Sequence, residues 1–201
     1  MRLFALFALA LAACETPEPK DEIAPGRPHS FCSFEADGVC VIEDYKGSMN
    51  IDSAFVSYIF STLEYEVNFF YPGLDFAKLA EEFKLKLNYK WADRNTQYQG
   101  TYSDYETWAR VWLRRGETIT PLMECMDRYY IAAHEVLHFV ADRHLGFVAN
   151  PEDEWPFSVH NVEYIFRAWA TSNNLPVEYT VEGRLYTMIW RRCYAATQEA
   201  P

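Results

Sequence analysis

Apolar residues recur at helical spacing in two neighbouring stretches of the first half of the chain. Residues 52–69 carry apolar side chains four apart, Asp52 precedes them as a candidate N-cap, and a Pro-Gly pair follows them. Asp75 opens a second stretch that runs to about Phe83. The pattern therefore predicts two consecutive helices, each with an acidic capping residue.

Alternation of polar and apolar residues predicts strands in the middle of the chain. In Lys84–Trp91 the odd-numbered residues are apolar and the even-numbered ones polar, which indicates a half-buried strand. Trp108–Leu113 alternates as well, with Trp108, Arg110 and Trp112 on one face. Shorter strands are expected at Val39–Glu43 and at Thr118–Ile119, and residues 93–103 are expected to form a polar loop.

The second half of the chain is predicted to be helical. One helix should run from about Met126 to Leu145, with Gly146 in the position of a left-handed C-cap. Ser158 can cap a further helix to about residue 170, and Thr180 can cap the last one, to about residue 194. A few strands followed by helices indicate an α+β domain.

The helix from Met126 contains the most informative motif, His134-Glu135-Val136-Leu137-His138. Residues four apart lie on one face of a helix, so the two imidazoles can bind one metal ion. Glu135 is not needed as a ligand and is placed to take a proton from a water molecule. The residues flanking the motif are uncharged, as a buried active-site helix requires.

At these residues the chain resembles the zincin metallopeptidases. The resemblance covers His134 to His138 strictly and extends loosely to about Phe166. It implies a zincin-like fold in which a small mixed sheet packs on helices that include the motif helix. It also implies a Zn²⁺ cofactor, and hydrolysis of peptide bonds in a peptide or protein substrate with Glu135 as general base.

A catalytic zinc site usually has three protein ligands, and three residues compete for the third position. His160 lies on the next predicted helix after a loop of suitable length. His144 resembles the third histidine of the metzincin motif, but Ala141 stands where that motif has a glycine that turns the chain back. Glu163 resembles the downstream helical glutamate of the gluzincins. The sequence leaves the ligand, and therefore the subfamily, open.

The N-terminus resembles the leader of a bacterial lipoprotein. Residues 1–13 join Arg2 to an apolar run of signal-peptide length, and two alanines precede Cys14. Residues 14–30 are rich in proline and charge and are expected to be a flexible tether, which leaves 31–201 as the folded domain. This organisation predicts a protein of the bacterial cell envelope, anchored to a membrane through a lipid on Cys14.

The remaining cysteines, Cys32, Cys40, Cys125 and Cys193, suggest two disulfides in an exported chain. Cys32 and Cys40 are close in sequence, so their pairing is the simplest, and Cys125 would then bond Cys193. Ligation of zinc by cysteine is the alternative, although the chain contains no C-x-x-C pair.

The charge of the chain argues against one class of partner. The chain has 18 Lys and Arg against 29 Asp and Glu, and this acidic balance argues against a nucleic-acid partner. Two functions remain after this exclusion. The first is a zinc metallopeptidase, and the second is a non-catalytic, metal-binding surface lipoprotein that acts as a binding module through its many aromatic side chains.

Overall fold

The computed structural model of the chain describes residues 32–43, 49–92, 99–114, 119–146 and 180–198. These residues form five strands and four helices, in the order β1 Phe34–Ala36, β2 Val39–Glu43, α1 Ser53–Phe70, α2 Phe76–Phe83, β3 Lys86–Trp91, β4 Gly100–Ser103, β5 Trp108–Leu113, α3 Pro121–Arg143 and α4 Val181–Gln198. None of the described helices is both long enough and apolar enough to cross a membrane.

The strands form one mixed sheet in the order β1-β2-β3-β5-β4. The three inner strands are parallel, and β1 and β4 are antiparallel to their neighbours. Helices α1 and α2 connect the parallel pair β2 and β3, as a parallel connection requires a crossover. Helices and a mixed sheet together confirm the predicted α+β class.

The alternation in β5 separates the two faces of the sheet as predicted. Ala109, Val111 and Leu113 are at most 1% exposed, whereas Trp108 and Trp112 are only partly covered. The buried face packs against α3, and the core continues between α3, α4 and α1. Burial of these side chains stabilises the packing of the motif helix α3 against the sheet.

Helix boundaries follow capping residues. The Asp52 carboxylate accepts hydrogen bonds from the backbone N–H groups of Ala54 and Phe55, at 2.9 and 3.2 Å. Asp75 caps α2, as predicted, by accepting from the Lys78 N–H at 3.1 Å. Helix α3 begins five residues before the predicted start, because Thr120 caps it ahead of a proline in the first turn.

Two local predictions were wrong, and one strand was missed. The predicted loop 93–103 contains strand β4 at its end, and Ile119 is not in a strand. Strand β1 was not predicted, although Asp37 and Gly38 form the tight turn that joins it to β2. Both residues have positive φ, +47° and +79°, as expected of a two-residue hairpin turn with an Asp-Gly sequence.

Both predicted disulfides are confirmed. Cys32 pairs with Cys40 across the β1–β2 hairpin, with 5.2 Å between the Cα atoms. Cys125 pairs with Cys193 at a Cα separation of 5.6 Å and joins the start of α3 to the end of α4. Helices α3 and α4 are therefore cross-linked at one end of their contact.

Candidate metal centre

Helix α3 places the two motif histidines side by side. The ring centroids of His134 and His138 are 5.0 Å apart, and the rings meet edge to face. Both imidazoles are partly exposed, whereas Ala133, Val136 and Leu137 between and beside them are at most 1% exposed. The apolar residues fix the rotation of the helix, and both rings lie on a face that is only partly covered.

Glu135 points to a different neighbour, the strand β4. Its side chain is buried, at 5% exposure, and it lies against the backbone of Gly100. A Cβ atom at Gly100 would stand only 2.2 Å from Oε1 of Glu135 and 2.7 Å from Cγ2 of Ile131. Residue 100 must therefore lack a side chain for the carboxyl group to occupy this position.

Burial changes the chemistry of this carboxyl group. Removal from water raises the pKa of Glu135 to about 7, while the imidazole of His134 lowers this pKa and the carboxylate of Glu182 raises it. A carboxyl group of this kind can exchange a proton near neutral pH, which an ordinary surface glutamate cannot.

Glu182 of α4 lies beside His134. Its Oε1 lies 2.6 Å from Nδ1 of His134 and accepts a hydrogen bond of 2.7 Å from the hydroxyl of Tyr130. Glu182 is fully buried, and Tyr130 also packs edge-on against Tyr186 of α4 at 4.8 Å between ring centroids. The first motif histidine is thus held from one side by a buried carboxylate.

In the described part of the chain, no candidate third ligand lies beside His134 and His138. His144 ends α3 and lines a groove on the side of α2, together with Asp75, Lys78 and Glu82. Within the described ranges, no group of three or more His, Cys, Asp or Glu side chains could hold a metal ion. His160 and Glu163 lie outside the described residues, as does Cys14.

Sequence reasoning missed Gly100, Tyr130 and Glu182. Tyr130 precedes His134 by one helical turn, and Glu182 lies in the first turn of the predicted last helix, where a carboxylate is favourable. Those were the only local signals. The contact between Glu182 and His134 spans 48 residues, so no local pattern could have found it.

Comparisons with protein-family models, with curated protein sequences and with solved structures give no match to this chain. The geometry of α3, β4 and α4 therefore stands alone as the basis for a function.

Proposed function

We propose that this protein is a zinc-dependent metallopeptidase with a zincin-like domain. The observation that carries the proposal is a buried carboxyl group, Glu135 against β4, on the same helix turn that pairs the imidazoles of His134 and His138. A peptide substrate also suits this position, because β4 ends the described sheet and an extended chain can pair with an edge strand.

The two histidines fit a zinc site. Their rings share one helix face and are partly exposed, and Nδ1 of His134 is already bonded to a carboxylate, as is usual for a zinc-binding histidine. The third ligand would come from His160, Glu163 or His144, and the described residues do not decide among them. When bound, zinc would supply Lewis-acid polarisation of the scissile carbonyl group.

In this proposal, Glu135 is the general base. Its carboxylate would accept a proton from the attacking water and later return a proton to the leaving amine. Burial raises the pKa of this carboxyl group to about 7 in the metal-free protein, and the charge of a bound zinc ion would favour the ionised form that accepts the proton. The wall formed by Gly100 excludes water from one side of the carboxyl group.

The test is Glu135→Gln, which keeps the shape of the side chain and removes its ability to accept the proton. We expect full zinc content and a loss of peptide hydrolysis of about 10²- to 10⁴-fold. Glu124→Gln, near the start of the same helix, is the matched control and should retain activity. His138→Ala should lose the zinc itself, and equal zinc in this variant and wild type would contradict the proposal.

A binding module is the second candidate, and the surface of α1 is the observation that favours it. Tyr58, Tyr65 and Phe69 are 44%, 68% and 64% exposed along this helix. Exposed aromatic side chains of this kind are common in surfaces that bind other proteins. If wild type with full zinc hydrolyses nothing in a broad peptide library, the binding function becomes the better explanation.

The anchor is part of the same proposal. A lipid on Cys14 and the tether that follows would hold the domain at a membrane of the bacterial envelope. The two disulfides agree with an oxidising compartment. Intact-mass analysis of protein extracted from membranes should reveal an acylated cysteine at the N-terminus, and a soluble chain that begins elsewhere would contradict it.

A further inference from the structure

We infer that Glu182 is the positioning residue of the metal centre and fixes the ring of His134 so that only Nε2 can bind zinc. The inference rests on the proposed zinc site. It assigns a role to a residue of α4 that lies far from the motif in sequence, and it concerns how tightly the metal is held.

The first step is the hydrogen bond itself. We take Glu182 to be ionised, so its Oε1, which lies 2.6 Å from Nδ1 of His134, can only accept a hydrogen bond. The proton of the neutral imidazole must then be on Nδ1, and a nitrogen that carries a proton cannot bind a metal ion. Nε2 is left as the ligand atom, with its basicity raised by the negative partner.

The second step is the orientation of the carboxylate. The hydroxyl of Tyr130 donates to the same Oε1 at 2.7 Å. Because Tyr130 and His134 are one turn apart on α3, the two donors approach Glu182 from one helix. Rotation of the carboxylate would break both bonds at once, so each donor restrains the group for the other.

The third step is the anchoring of α4. Thr180 caps this helix by accepting a hydrogen bond of 3.0 Å from the N–H of Gly183, and the carboxylate of Glu182 gains from its place in the first turn. Two residues further on, Arg184 pairs with Glu66 of α1 at 3.1 Å. The first turn of α4 is thus fixed at both sides of Glu182.

Two substitutions separate the contributions of this residue. Glu182→Leu removes the acceptor, and we expect the affinity for Zn²⁺ to fall by about 10- to 100-fold in a competition with a chelator. Glu182→Gln keeps the shape and an acceptor oxygen but removes the charge, so its loss should be smaller, about tenfold. The matched control is Asp127→Asn, a buried carboxylate of α3 that pairs with Arg114 and should bind zinc as wild type does.

A second measurement does not depend on the metal. Long-range ¹H–¹⁵N spectra of the metal-free protein, at a pH where histidine is neutral, report which nitrogen of His134 carries the proton. We expect Nδ1–H in wild type and in Asp127→Asn, and a shift towards Nε2–H in Glu182→Leu. A purely structural role of Glu182 would not move this signal.

The outcomes are distinct. Nε2–H in wild type, or zinc affinity in Glu182→Leu equal to that of the control, overturns the inference. If Glu182→Leu fails to fold, the near-isosteric Glu182→Gln provides the affinity test, and an unchanged affinity there overturns it. If wild type binds no zinc, the proposed function fails, and the tautomer spectra still decide whether Glu182 orients His134.

Discussion

The two disulfides should differ in how much they stabilise the domain, because they close loops of very different length. Cys125 and Cys193 are 68 residues apart, and Cys32 and Cys40 are only 8 apart. Chain-entropy reasoning gives a stabilisation of about 4 kcal/mol for the long loop and about 2.5 kcal/mol for the short one. The larger value is a sizeable share of the stability of an ordinary domain.

The assay is urea unfolding of metal-free protein, since bound metal would stabilise the folded state separately. Cys125→Ala/Cys193→Ala is compared with Cys32→Ala/Cys40→Ala. The first pair also loses a fully buried sulfur at Cys193, which adds a packing loss. Reduction of the Cys32→Ala/Cys40→Ala variant breaks the Cys125–Cys193 bond but keeps both of these sulfur atoms. The difference between its oxidised and reduced forms therefore measures the effect of the long cross-link alone.

Equal losses in the free energy of unfolding for the two double variants, or a larger loss for Cys32→Ala/Cys40→Ala, would refute the reasoning from loop length.

The metal centre should tolerate removal of the Cys125–Cys193 bond. His134 lies nine residues from Cys125 along α3, or about 13 Å, and the helices also meet there through Tyr130 and Tyr186. Loss of zinc from the cross-link variant would show that this contact cannot hold the helices alone.

Three further predictions concern stability and the site. Because the pKa of Glu135 is raised to about 7, its ionisation destabilises the folded state as pH rises from 4.5 to 7. The free energy of unfolding of metal-free Glu135→Gln should therefore rise relative to that of wild type across this window, and the difference should reach about 3 kcal/mol at pH 8 in urea titrations. An unchanged difference would contradict the raised pKa of Glu135. Gly100→Ala should displace the Glu135 carboxylate and lower hydrolysis with zinc retained, whereas Thr101→Ala should not. Asp52→Ala should cost about 1 kcal/mol by urea unfolding and leave zinc binding intact.

Local sequence patterns predicted the parts of the fold that local physics determines. The capping residues Asp52, Asp75 and Thr180 set the starts of three helices, and alternation in β5 set its buried face. The disulfides were predictable as well, because a short Cys32–Cys40 loop left one partner for each remaining cysteine.

What could not be predicted depends on contacts between distant residues. Strand β4 is short and polar, and it forms because Thr101 and its neighbours pair with β5. No pattern within the sequence of β4 predicts this pairing. The candidate metal centre likewise combines features set by local sequence with contacts between distant residues. The spacing of His134 and His138 follows from one helical turn, but the partners Gly100 and Glu182 come from other elements.

The arrangement around α3 explains why the motif alone does not define a site. Consecutive residues on a helix leave its axis about 100° apart, and the side chains of His134 and Glu135 contact different elements. His134 meets Glu182 of α4, and Glu135 meets the bare backbone of Gly100 in β4. The imidazole needs a charged partner that orients it, and the carboxyl group needs a dry wall that raises its pKa. A helix between an acidic helix terminus and a glycine-bearing strand meets both needs at once, whereas the same five residues on a solvated helix would meet neither.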